Sequence, residues 1–457
     1  MKRIPADWMR LCAATLALAL IASACTTQAS KSEFFGKVEP PEGQVLRYIS
    51  GSEPESLDPQ IGTGQPEARI YMALFVGLAE YDPKTMAPIP EIAERWDVNH
   101  DSSEFIFHIR KGVRWSNGDP LNAHDFVYTF RRGLSPELAA RNAYLSYEIK
   151  YAQAYNEGGS FVRDPKTGQF LLAKDFEAAE EKADKAETAQ PTTAKPTESV
   201  ENSPELPAAG QNASLETPFH QYITGPMRLV VASDDATREK ELKANPKLKA
   251  VLEGKELVPV KAEDIGVEAI DDYTLRVTLT QSAPYFVGLI PHQFFRAVPR
   301  KAIEKYGDIG WTQPQNIVTN GPFKLASWKP YNEIVVVKDP MYWDAARVRL
   351  QKISFYPLDE QTTMQNLYKA GDVDATYNHT VPVGWLEQIR PLKDYMDAPE
   401  CAIEYYQFNT KRPPMDNRDV RKAFNMAIDK VALARYRKIV KPLTAFTPEG
   451  IFPNYPQ

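Results

Sequence analysis

Residues 174–216 limit the fold more than any other part of this 457-residue chain. The stretch is built of Ala, Glu, Lys, Thr, Pro, Ser and Gln, and its only large apolar side chains are Phe176, Val200, Leu206 and Leu215. So few cannot offset the conformational entropy lost on ordering a segment of that length. The composition predicts a disordered or partly helical insertion. Residues 176–189 carry enough Ala, Glu and Lys for transient helix, and residues 191–207 are kept extended by proline. Order resumes near Thr217, so the core must be assembled from the chain on either side.

Before the insertion, residues 26–43 are polar and aperiodic and read as a tether, and residues 44–49 read as a strand. After the turn-rich residues 51–64, Pro66 fits a first helical position, and Ile70, Leu74, Gly77 and Leu78 predict one apolar helical stripe. Residues 104–110 alternate, with Phe105, Phe107 and Ile109 on one face and Ile106, His108 and Arg110 on the other, the pattern of a half-buried strand. A second strand is expected to end at Trp115, before the turn cluster Ser116-Asn117-Gly118-Asp119-Pro120. Asn122 can cap the next helix with Asp125 three residues on, and Phe126, Val127, Phe130 and Leu134 face the core.

Beyond the insertion, residues 265–281 read as strand, Asp271-Asp272 turn and strand. Thr319-Asn320-Gly321-Pro322 is a turn leading into strands at 323–328 and 334–338. A single helix is expected over 416–434, capped by Asp416 or Asn417, with Val420, Phe424, Ala427, Ile428 and Val431 on its apolar face. Short strands alternating with helices, without long apolar parallel-sheet runs, indicate a mixed α/β protein of two or more lobes. The 37 prolines, against ~5% in average usage, exclude a helical bundle or coiled coil.

At the N-terminus Lys2, Arg3 and Arg10 precede an apolar run from Leu11 to Ala24. At ~14 residues the run is short of the ~20 that a membrane-spanning helix needs, and residues 1–24 read as a secretory signal. The run ends Ile21-Ala22-Ser23-Ala24-Cys25, which resembles a bacterial lipobox and implies that Cys25 becomes the lipid-bearing first residue of the mature chain. Of the three cysteines, Cys12 leaves with the signal and an acylated Cys25 strands Cys401, so no disulfide framework remains. Cys401, between Glu400 and Ala402-Ile403, reads as a small buried hydrophobe.

A net charge of −6, from 54 basic and 60 acidic residues, argues against nucleic acid as a partner. Catalytic and metal patterns are missing. The chain has no Gly-x-Ser-x-Gly, no His-Glu-x-x-His, no phosphate loop and no paired histidines at helical spacing among its six. Gly62-Thr63-Gly64 lacks the third glycine of a dinucleotide loop, Asp271-Asp272 reads as a hairpin turn, and the charges of 234–243 read as a solvated helix face. What is abundant is aromatic and Asn side chains near turns: Trp311, Trp343, Tyr377-Asn378, Trp385, Tyr405-Tyr406 and Asn409. These are the residues a wide, partly wet cleft would use, and equally those of ordinary core and rim packing.

Ala93-Glu94-Arg95-Trp96, residues 105–110, Gly112-Val113-Arg114-Trp115-Ser116-Asn117-Gly118 and Ala123-His124-Asp125-Phe126-Val127-Tyr128-Thr129 closely resemble the solute-binding proteins of bacterial oligopeptide ABC importers, family 5. The resemblance continues through Ser56-Leu57-Asp58-Pro59, Pro284-Tyr285-Phe286, Tyr342-Trp343, Gly371-Asp372-Val373-Asp374 and residues 408–423. It implies a two-lobed, periplasmic-binding-protein-like α/β fold with an extra small lobe. Lobe I would take residues 25–75 and 300–399, the extra lobe 76–299 with the insertion inside it, and lobe II would begin at 400–457 and be incomplete. Family members continue well beyond Gln457, so the resemblance implies a C-terminally incomplete clamp.

By the same resemblance the ligand is an oligopeptide held extended by its backbone between closing lobes and delivered to ABC permease subunits in the inner membrane. The protein would be a monomer anchored through lipid on Cys25, in the periplasm or on the outer face of the envelope, with no enzymatic activity, metal or cofactor. Tyr377 and Asn378 match a ligand-contact pair, Thr63-Gly64-Gln65 match a contact loop in which relatives place an acid where this chain has Thr63, and Tyr144 lies near a contact tyrosine. Two alternatives stand beside this. The same fold could serve a dipeptide, murein peptide, haem, metal complex or sugar, or the chain could be a degenerate, non-transporting surface lipoprotein.

Overall fold

A computed structural model describes residues 32–37, 43–176, 216–378, 380–397 and 402–447. Residues 1–31, with the signal and Cys25, most of the insertion, and Cys401 lie outside the described residues. The chain divides into two units, residues 41–359 and residues 1–40 with 360–457.

The larger unit holds thirteen described strands: β1 Val45–Gly51, β2 Ala79–Tyr81, β3 Pro88–Pro90, β4 Ala93–Val98, β5 Glu104–Ile109, β6 Gly159–Arg163, β7 Val230–Ala232, β8 Glu256–Pro259, β9 Val267–Asp271, β10 Thr274–Thr278, β11 Phe323–Lys329, β12 Glu333–Lys338 and β13 Lys352–Pro357. They form sheets ordered β1-β13-β12-β11, β4-β5-β10-β9 and β7-β6-β8, and a β2-β3 ribbon. Among the described strands only β1 and β13 pair in parallel, with Val45 opposite Lys352.

Each main sheet has its own core. On the first, Ile70 and Leu74 of the helix Gln65–Leu74 and Ala302 and Ile303 of the helix Arg300–Gly310 pack with Trp311, Ile334, Val336 and Phe355. On the second, Phe105 and Phe107 of β5 and Leu275 and Val277 of β10 pack with Phe126 and Phe130 of the helix Ala123–Gly133. Phe105, Phe107 and Ile109 of β5 enter this core as expected and His108 is only half-buried, but Ile106 on the opposite face is buried as well, so the strand is covered more fully than its alternation predicts; the capping box forms as the spacing requires. Asn122 Oδ1 accepts from the His124 amide at 3.0 Å, and Asp125 Oδ2 accepts from the Asn122 amide at 2.9 Å. A third, smaller core surrounds Arg228, whose guanidinium lies 3.8 Å from the Phe170 ring centroid and 4.5 Å from that of Tyr222. Beside it Leu172 bridges to Arg228, and the Ala173 amide donates to the Met227 carbonyl at 2.9 Å, so the chain segments flanking the insertion are joined at its base.

Three local expectations are corrected. The helix begun at Gln65 stops at Leu74, short of Gly77 and Leu78, because Asn320 captures Val76 with two hydrogen bonds, accepting from its amide at 3.1 Å and donating to its carbonyl at 3.0 Å. Gly321 closes over that helix end, where a Cβ would sit 2.6 Å from the Leu74 carbonyl carbon. The strand expected before Trp115 is a single bridge between Arg114 and Pro120. The helix expected over 416–434 is two, Arg418–Ala427 and Lys430–Arg437, because Asp429 acts as a second N-cap, accepting from the Ala432 amide at 2.9 Å. The charged run of 234–243 does form a helix without a buried residue, Asp235–Ala244, although Arg238, Glu241 and Leu242 are half-buried on its inner side.

In the smaller unit Asp394 ties residues 32–37 to the helix Gln361–Ala370. Its Oδ2 accepts from the amides of Phe35 and Gly36 at 2.9 Å and from the Tyr368 hydroxyl at 3.0 Å. Phe35 stacks on Tyr368, and Gly36 approaches that ring so closely that a Cβ would lie 2.8 Å from it. Burial pushes the Asp394 carboxyl up, but the two amides and the phenol outweigh it and hold it below the usual carboxylate range. A depressed acid stabilises the fold above its unfolded pKa of about 4, and that contribution is lost as pH falls through the folded value. Hydrogen exchange should therefore show the Phe35 and Gly36 amides protected at pH 5 and loosened near pH 3, whereas Asp394→Asn should loosen them at both.

Candidate functional site

The loop matched to a ligand-contact segment lies between two anchored structures. Upstream, Asp58 is fully buried; its backbone carbonyl accepts from the amides of Ile61 and Gly62 at 3.1 Å, closing a turn, and its Oδ1 accepts from the Gln60 amide at 2.9 Å. Arg132, near the end of the helix Ala123–Gly133, reaches into this turn. Its Nη2 donates to Asp58 Oδ2 at 2.7 Å and to Asp308 Oδ1 at 2.6 Å, and its Nη1 donates to Gln60 Oε1 at 2.7 Å. Asp308 is positioned by Gly307, whose φ of +72° breaks the helix Arg300–Gly310. Burial pulls the Arg132 guanidinium down, but Asp58 and Asp308 more than offset that and raise it. Gln60 completes the clamp by donating from Nε2 to the Thr129 carbonyl at 2.8 Å.

Trp311 belongs to this clamp and not to a cleft rim. It is 0% exposed, packs edge-on against Phe75, and directs Nε1 toward Asp58 Oδ2 at 3.4 Å.

Downstream, the helix Gln65–Leu74 begins. Gly62 lies against Tyr71, where a Cβ would come 1.9 Å from the hydroxyl oxygen, and the Gly62 carbonyl accepts from Gln293 Nε2 at 2.8 Å. Gly64 is the N-cap residue and lies on Glu67, whose buried Oε1 accepts from the Glu55 amide at 3.0 Å. Gln65 accepts from Arg69 one turn on, at 3.0 Å. Close packing against the Tyr71 ring thus favours glycine at 62, Gly64 rests on the Glu67 carboxylate, and Thr63 between them is exposed at the tip of a rigidly footed loop. Burial raises the Tyr71 hydroxyl far above the ordinary phenol range, with Glu67, Asp58 and Glu55 adding to the effect, so it stays a neutral donor to the Ser56 carbonyl at 2.7 Å.

The other matched residues are placed as follows. Tyr144 is 60% exposed on a short 3-10 turn, and its hydroxyl makes no hydrogen bond among the described residues. Tyr377 and Asn378 fall in the other unit, Tyr377 half-buried with its carbonyl accepting from Thr380 Oγ1 at 2.8 Å and Asn378 exposed. Cys25 lies outside the described residues. Sequence reasoning did not single out Arg132, Gln60, Asp308 or Glu67. The one available signal was Ser56-Leu57-Asp58-Pro59, a matched motif whose acid proves to be the buried end of the ion pair.

Among the described histidines, His108 faces Asp97 at 2.7 Å, His220 faces Glu104 at 2.8 Å, and half-buried His292 accepts from the Phe294 amide through Nδ1 at 3.2 Å. Burial, with Arg296 nearby, lowers the His292 pKa and keeps it neutral. Among the described residues no group of three or more His, Cys, Asp or Glu converges to hold a metal ion, and no helix is long and apolar enough to cross a membrane.

Two substitutions test this construction by urea unfolding. Arg132→Ala leaves Asp58 buried without its countercharge and should cost about 3–5 kcal/mol. Gly62→Ala should cost about 1–3 kcal/mol by overpacking against the Tyr71 hydroxyl, and Tyr71→Phe in the same chain should recover part of that loss.

Comparison with known proteins agrees with this architecture. Residues 87–457 match the family model described as bacterial extracellular solute-binding proteins, family 5 Middle. The chain is 29% identical over 440 residues to the periplasmic oligopeptide-binding protein OppA of Salmonella typhimurium, covering 96% of this chain and 62% of the relative. It is 28% identical to the probable deoxycholate-binding periplasmic protein YgiS of Escherichia coli, covering 89% of this chain and 58% of the relative. The crystal structure of Haemophilus influenzae OppA in complex with the peptide RPPGFSPFR superposes with a TM-score of 0.59 at 26% identity, over 87% of this chain and 58% of that one. The chain thus spans less than two thirds of the length of these relatives. With the mixed α/β fold and a model match across most of its length, the chain belongs to the family 5 bacterial extracellular solute-binding proteins.

Proposed function

We propose that this chain is the extracytoplasmic substrate-binding component of an ABC importer, capturing oligopeptides through their backbones between two closing lobes and handing them to a permease. The observation that carries the reading is the match to peptide-binding relatives, one of them solved with a peptide bound. The rigidly footed loop at Thr63-Gly64-Gln65 supports it, since contacts made in advance of binding reduce the ordering cost of a weakly sequence-selective ligand. In this reading Tyr377 and Asn378 contact the ligand from lobe I, made of residues 25–75 and 300–399, while Tyr144 contributes from the extra lobe, residues 76–299. The separate cores, one of residues 57–75 with 298–355 and the other of residues 76–297, support that partition of the larger unit. Cys25 carries the lipid anchor, the protein acts as a monomer outside the cytoplasm, and closure is driven by contacts made only in the closed state. No residue is assigned a catalytic role.

A second reading keeps the fold and changes the ligand. A relative named for deoxycholate is nearly as similar as the one named for oligopeptides, and the exposed loop tip is a neutral threonine.

Isothermal titration of the purified protein with mixed tri- to pentapeptides should give saturable heat, while deoxycholate gives none. Silence toward every peptide at millimolar concentration overturns the peptide reading, and saturable heat from deoxycholate alone transfers the site to the second.

A further inference from the structure

Behind the Thr63 loop lies a carboxylate that its surroundings leave half satisfied. Glu67 stands in the first turn of the helix Gln65–Leu74 and is 5% exposed. Its Oε1 accepts from the Glu55 amide at 3.0 Å, but Oε2 is sealed from water and accepts no hydrogen bond among the described residues. An acid in a first helical turn ordinarily meets the free amides there. Pro66 removes one of those donors, and the phenol of Tyr71 donates instead to the Ser56 carbonyl at 2.7 Å.

The orphan oxygen is turned toward the loop. It lies so close to Gly64 that a Cβ added there would come 2.2 Å from it, and Gly64 has no side chain to hold a ligand away. Nor do neighbouring charges cancel it. The charged residues bonded to the loop and its helix are Glu55, Asp58, Glu67 and Asp308 against Arg69 and Arg132, a balance of 2 − 4 = −2. Arg132 is taken up by Asp58 and Asp308, and Arg69 donates to the Ser50 carbonyl and to Gln65. Burial is the main cause that raises the Tyr71 hydroxyl, and Glu67 is the next, ahead of Asp58 and Glu55, so its charge is felt at the foot of the loop. A carboxylate taken out of water without a countercharge is unfavourable, and a ligand that brings one relieves it.

Resting on the peptide reading of this loop, we propose that Glu67 is a specificity-determining residue, favouring a ligand that lays a cationic group over Gly64, an ammonium at the end of a peptide or on a side chain. Thr63 is neutral, so selection by charge comes from beneath the loop and not from its tip. The same field opposes an anionic group at this position.

The test is isothermal titration of the whole chain with trialanine and with the peptide Ala-Lys-Ala. Glu67→Gln keeps an acceptor for the Glu55 amide while removing the charge, and should weaken binding about tenfold. Equal loss for both peptides assigns the cation to the terminal ammonium, and loss for Ala-Lys-Ala alone assigns it to the lysine. Thr63→Glu added to the Glu67→Gln chain should recover about threefold, less than the whole because an exposed charge is screened. Affinity that Glu67→Gln leaves unaltered overturns the proposal, and so does a loss that Thr63→Glu fails to recover, the result of a merely structural role. If circular dichroism shows the Glu67→Gln chain unfolded, Thr63→Lys carries the test. It should weaken binding where Thr63→Gln does not, and equal affinities of these two chains overturn the proposal. Silence of the unaltered chain toward both peptides overturns the peptide reading itself, and the role of Glu67 with it.

Discussion

Arg132 and Asp58 meet where neither is open to water, their relative exposures being 8% and 0%. Removing two ions from water costs several kcal/mol each, and attraction repays that only when the geometry is good and the remaining polar atoms are satisfied. Here Gln60, Asp308 and the Trp311 indole supply those further contacts. A hydrocarbon pair could hold the two elements together as tightly, but it would not fix their register. The ion pair sets the turn at Asp58 against the helix Ala123–Gly133, and everything from Ile61 to the helix Gln65–Leu74 inherits its position from that turn. Because the turn and the helix pack into different cores, the pair also sets the two main cores of the larger unit in one arrangement.

What could be read from the residues themselves is what short-range chemistry decides. The inward-facing set Phe105, Phe107 and Ile109, the Asn122–Asp125 box and the Asp271-Asp272 turn each involve partners a few positions apart, and each forms. The failures involve partners far away in the chain. Nothing near Gly77 signals that the preceding helix must end, because the residue that ends it is Asn320, 244 positions on. Trp311 has the surroundings of a rim residue in sequence, yet the acid that receives its indole is 253 positions away. The division of the helix expected over 416–434 is a different kind of miss. Asp429 is a local signal, a second cap inside an apolar period, and the longer pattern masked it.

The site follows the same rule. Thr63, Gly64 and Gln65 were found through resemblance, and the structure explains the glycine before them: Gly62 makes room for the Tyr71 phenol of the following helix. The residues that hold the loop still were invisible in sequence, since the arginine pair Arg131-Arg132 near the end of a helix gives no sign of which acid either will meet.

The bridge between Leu172 and Arg228, with Ala173 bonded to Met227, has a consequence for how such a chain can vary. It joins the flanks of the insertion, so the excursion between them is a closed loop whose base belongs to the fold. The entropy of closing a flexible loop grows only with the logarithm of its length, about 0.6 kcal/mol for each doubling. Doubling the length of the excursion by this measure costs no more than about one methylene of burial in either main core, about 0.8 kcal/mol. Length at this point is nearly neutral for folding and open to drift or selection, while the residues at the base of the loop are not.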